Sequence, residues 1–149
     1  MISSAAARPP GFLRRMASAL YDLLLLVALL LVATFPFLAI VGGDASHGWK
    51  RHLLQLYVLF VAGSYFVGFW THGGQTLAMK TWRVRIERAD GGPLTRARAV
   101  HRFLLSVLSF FALGLGFVYA LFDRDRQFLH DRLAGTAIVD AGPSGAPPA

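Results

Sequence analysis

The sequence predicts an all-α membrane protein with two to three transmembrane helices and a small β element on the cytoplasmic side. Composition is the first observation behind this fold class. Apolar residues make up 55% of the 149 residues and charged residues only 15%, yet the formal net charge is +7. That combination is typical of membrane proteins with cationic loops, more than of nucleic-acid binders. We therefore expect membrane lipid as a partner and no nucleic acid.

Three long apolar segments, at residues 16–41, 53–70 and 103–122, are the second observation. A helix needs about 20 residues to cross ~30 Å of hydrocarbon, so the first segment is ample and the others just suffice. The first also exceeds the apolar part of a cleaved signal peptide, which indicates a retained helix. Pro36 lies inside it and is expected to bend it. The tryptophans near segment ends, expected at the lipid–water boundary, are Trp49, Trp70 and Trp82.

The distribution of lysine and arginine predicts the orientation. Three arginines lie in the N-terminal arm, residues 1–11, and the helix entrance that follows it. The loop 71–102 carries one lysine and six arginines, whereas the loop 42–52 carries only Lys50 and Arg51. The positive-inside rule therefore predicts a multi-pass membrane protein with its N-terminus and long loop in the cytoplasm.

The third apolar segment, 103–122, has two interpretations. If it crosses the membrane fully, the tail emerges outside; if it is re-entrant and breaks near Leu113–Gly116, the tail returns to the cytoplasm. The loop region 76–95 contains an alternating run typical of a strand, Trp82–Arg88, and the tail contains a second short run at 136–140. Because a lone strand is unstable, we expect the two to pair, which favours the re-entrant interpretation.

Nucleotide, metal and enzymatic sites are not expected. The stretch GGQTLAMKT, residues 73–81, resembles a phosphate-binding loop, but Met79 stands where that loop needs glycine and no strand precedes it. There is no cysteine, and the five histidines are scattered, so no metal site or cofactor is predicted. No nucleophile–base pattern typical of an enzyme is present.

Asp22 is the most informative residue because it lies in an otherwise apolar helix. An ionised carboxylate there costs at least ~2.5–3.5 kcal/mol, so it should face a bundle interior and be paired. Arg15 lies about two helical turns earlier, which places Arg15, Ser18 or Ala19, and Asp22 on one face. Asp22 is either an ion or proton site, or a salt-bridged residue that holds the fold near the cytoplasmic boundary. Asp131 in the tail is the second candidate carboxylate.

With Arg15, Asp22 and Asp131 in view, the sequence resembles the RDD family of bacterial membrane proteins. The resemblance covers Gly11–Asp140 and rests on three blocks in order: GFLRRMASALYDLLLL, YFVGFWTHGGQTLAMKTWRVRI and RQFLHDRLAGTAIV. Where the family commonly has glycine in the second block, this chain has Ala78.

The resemblance also implies a location in the inner (plasma) membrane, and it implies roles and boundaries within the chain. In the second block it implies a turn that contains Gly74 and Thr76, with Lys80 at the membrane face. It implies a membrane domain over residues 12–140, and residues 141–149, which are rich in Pro, Gly, Ala and Ser, are expected to be disordered.

The resemblance leaves two functions open, because the family is largely uncharacterised and sodium–proton antiport is proposed for some members. A transporter would use Asp22 and Asp131 as carriers and Arg15 as their counter-charge. It would need a homo-oligomer or a partner membrane protein, since three apolar segments cannot enclose a path. The alternative is a structural or regulatory membrane module, in which these three residues form a fixed ion-pair network and the basic loop binds lipid or a partner.

Overall fold

The computed structural model describes residues 10–112, 118, 119, 122 and 128–142. It is mostly helical, and its helices are α1 (Phe12–Val41), α2 (Gly48–Thr71), α3 (Leu77–Thr81), α4 (Arg96–Phe111) and α5 (Leu129–Leu133). Two short strands complete it, β1 (Val84–Arg88) and β2 (Thr136–Asp140). The predicted break at Leu113–Gly116, residues 1–9 of the N-terminal arm and residues 143–149 of the tail lie outside the described residues.

The long helices α1 and α2 are apolar enough to cross a membrane, as predicted. Their 30 and 24 residues correspond to ~45 Å and ~36 Å of helix. Only 6% and 11% of their most apolar 18-residue stretches are buried, whereas the core helix of a soluble protein would be mostly buried. α1 continues through Pro36, and one turn before it the hydroxyl of Tyr57 donates a hydrogen bond to the Ala33 carbonyl at 3.0 Å, which joins α2 to α1.

The two strands pair, as predicted, and the sheet that they form is antiparallel. Val84 lies opposite Asp140 and Arg88 opposite Thr136, so Ile86 and Ile138 face each other across the sheet. Both isoleucines are buried. The pairing fixes the tail strand against the loop strand. Since Ile86 of β1 donates to the carbonyl of Gly74, just after α2, both strands lie at that end of α2.

The helix α4 begins earlier than the predicted third segment, which started at residue 103. Thr95 caps it by accepting a hydrogen bond from the backbone N–H of Arg98, so the helix takes in the basic residues before the apolar run. Its inner face buries Ala99, Arg102 and Phe103. This face packs against α2 and α5 and brings Arg102 to the interior.

The hydrophobic core lies where α2, α4 and the sheet meet, around Trp70, Val84, Ile86 and Phe103. Trp70 is 3% exposed in this core, so its predicted place at the lipid–water boundary is wrong. Its ring packs beneath the guanidinium of Arg102, which removes it from the surface. Trp49 and Trp82 are exposed.

Candidate functional site

The GGQTLAMKT stretch connects α2 to β1 through a tight turn at residues 73–76, after which α3 begins at Leu77. Gly74 has φ 70°, and its carbonyl accepts a hydrogen bond from the N–H of Ile86 at 2.8 Å. A Cβ at Gly74 would lie 2.5 Å from the Ile86 carbonyl oxygen, so only glycine fits. The side-chain amide of Gln75 donates to the Val84 carbonyl at 2.9 Å. The turn is therefore bonded along β1, and the residue that follows, Thr76, is held in place.

Thr76 connects this turn to Asp22. It is the N-cap of α3, where its hydroxyl oxygen accepts from the N–H of Met79 at 3.2 Å. The same hydroxyl donates to Oδ2 of Asp22 at 2.6 Å. Tyr65 of α2 donates its hydroxyl to Oδ1 of Asp22 at 3.2 Å. Asp22 is only 4% exposed, so its carboxylate joins α1, α2 and the turn in the interior.

Asp131 is held differently, by a cation. It forms an ion pair with Arg102 of α4, and both side chains are almost fully buried. The guanidinium of Arg102 lies 4.2 Å from the ring centroid of Trp70, a cation–π distance. One charged side chain therefore connects α5 of the tail to α4 and α2. A buried pair of this kind is costly to break from one side.

His130 precedes Asp131 and is also buried. Its ring stacks on Phe128 with centroids 5.4 Å apart. Burial lowers the pKa of His130 to about 4; the Arg102 charge acts in the same direction and the Asp131 charge opposes it. His130 is therefore neutral at neutral pH while the tail is docked.

The face of α1 that carries Arg15 and Asp22 is buried, as predicted. Arg15 and Ser18 are each 2% exposed, and with Asp22 they line one side of the helix. The guanidinium of Arg15 lies 5.9 Å from the ring centroid of Phe128, beside α5. Arg15, Asp22 and Asp131 are thus all buried, while Asp22 and Asp131 contact different partners. The role of Arg15 as a counter-charge stays a prediction.

Arg14 forms a second connection between α1 and the tail. It makes a salt bridge to Asp140 at 2.8 Å and donates to the carbonyls of Trp82 at 2.7 Å and Arg83 at 3.1 Å. The N–H of Ala141 donates to the same Arg83 carbonyl at 2.9 Å. The hydrogen bond from Arg14 holds the pKa of Asp140 below its usual range, and the N–H of Gly142 adds to this.

Two open cavities border these groups. The larger, about 580 Å³, is lined by Arg14, Thr81, Trp82, Arg83, Asp140 and Gly142. The smaller, about 230 Å³, lies along α2 and is lined by Ser64, Tyr65, Gly68, Phe69 and His72. In the part of the chain that the structure describes, no three His, Asp or Glu side chains come together as metal ligands. Lys80 is exposed on α3, and its place at a membrane face stays a prediction.

The sequence did not identify Tyr65, Trp70 and Arg102 as parts of the site. Arg102 carried a signal, because it lies on the same helical face as Ala99 and next to Phe103. An arginine on the apolar face of a helix indicates a buried partner. Tyr65 carried none, since it is 43 residues from Asp22 and lies among other aromatic residues.

Comparison with known proteins finds the same family that the sequence motifs resemble. A model of the RDD family matches residues 9–135, most of the chain. The chain is also similar to the uncharacterized protein RP437 of Rickettsia prowazekii (strain Madrid E), with 32% identity over 81 residues. That alignment covers 54% of this chain and 45% of the relative, so the chain matches about half of the relative's length. No solved structure matches this chain.

Proposed function

Because the chain belongs to the RDD family, we propose that it is a multi-pass protein of the bacterial inner membrane with its N-terminus in the cytoplasm. Two observations support this placement. The helices α1 and α2 expose large apolar side chains along their length, among them Leu24 (60%), Leu31 (62%) and Phe60 (72%). Surfaces of this kind need lipid or a partner around them. The basic loop and the tail strand share one sheet, which agrees with both being cytoplasmic.

Within the membrane we propose that the protein exchanges a monovalent cation for a proton at Asp22. The observation that carries this proposal is the pair of hydroxyl groups that hold the carboxylate, Thr76 at 2.6 Å and Tyr65 at 3.2 Å. A hydroxyl can donate to an ionised carboxylate or accept from a protonated one. Arg102 has no such freedom beside Asp131, because a guanidinium stays charged. Of the two aspartates, Asp22 is therefore the one suited to change protonation state.

The oxygen atoms around Asp22 also suit a hard cation. Its carboxylate and the hydroxyls of Thr76 and Tyr65 are oxygen ligands, the type that hard cations prefer. In the proposed step the carboxyl proton leaves as Na⁺ or K⁺ binds, so that the charge of the site is conserved. Tyr65 also lines the 230 Å³ cavity on α2. This open cavity therefore lies next to a side chain that is hydrogen-bonded to Asp22.

The proposed exchange requires more than one chain. Asp22 lies ~10 Å along α1 from Arg15, level with the turn after α2, and so nearer the cytoplasmic boundary than the middle of the membrane. Two long helices cannot enclose a path from there to the other side. We therefore propose a homo-oligomer, or a complex with another membrane protein, whose subunits complete the path.

A second candidate function is a structural or regulatory membrane module. The observation that favours it is the pair of connections between helices and tail, Arg102 to Asp131 and Arg14 to Asp140. Both hold the cytoplasmic sheet against the helices. In this alternative the Asp22 hydrogen bonds serve stability alone, and the basic loop binds lipid or a partner.

Ion flux in proteoliposomes tests the exchange. The full chain is reconstituted with an internal pH dye and pulsed with Na⁺ or K⁺. We expect a cation-driven pH change in the wild type that is lost in Asp22→Asn. Asparagine keeps one oxygen that can accept from Thr76, and its NH₂ group can donate to the hydroxyl oxygen of Tyr65, so this variant should insert and fold. Asp44→Asn is the matched control, since Asp44 is exposed in the α1–α2 loop and loses the same charge.

The outcomes separate the two candidates. A silent wild type that is inserted and folded would end the exchange proposal and leave the structural module. Equal flux in the wild type and Asp22→Asn would remove Asp22 as the site. Flux lost equally in Asp44→Asn would indicate a general charge effect and count against a specific site.

A further inference from the structure

The larger cavity lies where α1 begins, between the start of β1 and the end of β2. Its two cations are Arg14 and Arg83, and its one acid is Asp140. Asp140 is already bound by Arg14, so that pair contributes little net charge. Among the described residues no acidic group forms an ion pair with Arg83, whose side chain is exposed. The cavity therefore carries a net positive charge centred on Arg83.

Arg83 is also held in an uncommon backbone conformation. Its φ is 52°, in the left-handed region, where few non-glycine residues are found. Its carbonyl accepts from both Arg14 and Ala141, and its N–H donates to the Lys80 carbonyl at 3.3 Å. Three hydrogen bonds to the backbone of Arg83, one of them from the Arg14 side chain, thus fix a conformation that a free chain would avoid. Strained residues of this kind are enriched at binding sites.

The surroundings of the cavity combine cations with exposed apolar side chains. Leu13 is 80% exposed and Trp82 38% exposed, while Lys80 is exposed nearby on α3. A ring such as that of Trp82 is favoured at the level of lipid headgroups. Arginine and lysine near an anionic membrane surface each add about 1 kcal/mol of attraction. The two features together match the boundary between phosphate groups and acyl chains.

We propose that this cavity binds the phosphate of an anionic phospholipid headgroup, with Arg83 as the binding cation and Arg14 as a positioning residue. The guanidinium of Arg83 meets the phosphate oxygens, while Leu13 and Trp82 meet the acyl chains. Arg14, tied to Asp140 and two carbonyls, keeps the backbone of Arg83 in place. This inference rests on the membrane placement proposed above, and it is independent of ion exchange at Asp22.

The test uses the full chain in detergent micelles. Its thermal unfolding is followed with dioctanoyl phosphatidylglycerol, dioctanoyl phosphatidylcholine or inorganic phosphate, and bound lipid is counted by native mass spectrometry. We expect phosphatidylglycerol to bind one per chain and to raise Tm, and the other two probes to do neither. In Arg83→Gly the lipid affinity should fall about fivefold, the equivalent of one lost cation. Because glycine accepts the left-handed φ, Tm without lipid should stay equal or rise.

Arg96→Gln is the matched control, since Arg96 is exposed, carries the same charge and does not line the cavity. Its lipid affinity should equal that of the wild type. Equal binding of phosphatidylcholine, unchanged affinity in Arg83→Gly, an equal loss in Arg96→Gln, or displacement of the lipid by phosphate would each overturn the proposal. Ion flux tests Asp22→Asn, whereas lipid binding tests Arg83→Gly. Each proposal can therefore be overturned without the other. Absence of the chain from the membrane fraction would overturn the placement on which both rest.

Discussion

Asp131 of the tail helix α5 and Arg102 of α4 form a buried ion pair, and Arg102 stacks on Trp70 of α2. Neither charge reaches solvent, so each depends on the other for its stabilisation. A buried pair contributes little when compared with well-packed apolar side chains, but the loss of one partner leaves an uncompensated charge. The ion pair therefore docks the tail, and replacing one partner should change stability differently from replacing both.

Arg102→Met and Asp131→Leu should each destabilise the protein by about 3–5 kcal/mol, because each leaves the other charge buried and alone. The double variant should be more stable than either single one, since no buried charge remains. Thermal unfolding in detergent, arranged as a double-mutant cycle, measures this coupling. Additive losses in the double variant would show that the pair does not act as a unit.

Gly74→Ala should destabilise the fold by about 2–4 kcal/mol, through a strained left-handed alanine and a close contact with the Ile86 carbonyl. Gly68→Ala, within the helix α2, is the control. A Cβ there meets no atom within 4 Å other than the backbone of its own helix. Its Tm should be unchanged or slightly raised. If both alanine variants lose stability equally, the contact with β1 is not the cause.

Docking of the tail should weaken as the pH falls below about 6.5. The pKa of His130 is about 4 when docked and 6.5 at its ordinary value, so the released tail binds more protons between these two pH values. The free energy that neutral His130 contributes to docking is complete above pH 6.5. It is lost as the pH falls toward 4, and the whole loss is about 3 kcal/mol. At pH 5 we expect about 30-fold weaker docking, read as hydrogen exchange of β2 amides after correction for the intrinsic rate.

His130→Phe controls for this effect, since it keeps an aromatic ring against Phe128 and removes the titrating group. Exchange of the β2 amides in this variant should not change between pH 7 and pH 5 beyond the intrinsic correction. The same acid-induced loss in His130→Phe would assign the pH dependence to another group.

Single cysteines should report the topology without background, because the natural chain has none. Ser46→Cys lies in the exposed α1–α2 loop, and Ala89→Cys lies just after β1. We expect a membrane-impermeant maleimide to label the first from outside the inner membrane, and the second only after that membrane is opened. Labelling of Ala89→Cys from outside would reverse the proposed orientation.

Local patterns were enough to predict the long helices, the sheet and the buried face of α1. The period of a helix placed Arg15, Ser18 or Ala19, and Asp22 together, and the alternation of Trp82–Arg88 with the tail run predicted the pairing. Each of these inferences uses residues within one element, or two strands that need each other.

The partners of the aspartates could not be derived in this way. Asp22 meets Thr76 across 54 positions of sequence, and nothing near either residue specifies the other. Trp70 shows the same limit, since a tryptophan at a helix end suits a lipid boundary and a protein core equally well. The choice depends on α4 packing over it with Arg102, which is tertiary structure.

The contact between Arg14 and Asp140 joins positions 126 residues apart, and this has a consequence for biosynthesis. At 5–20 residues per second, roughly 6–25 s separate the translation of the two residues. In the last part of that interval, after β1 has been made and before β2 follows, β1 has an unpaired edge and Arg102 lacks its partner Asp131. An incomplete chain therefore differs chemically from a finished one at the end of the molecule that carries the sheet. A membrane protease that recognises an open strand edge could remove stalled products and leave completed chains intact.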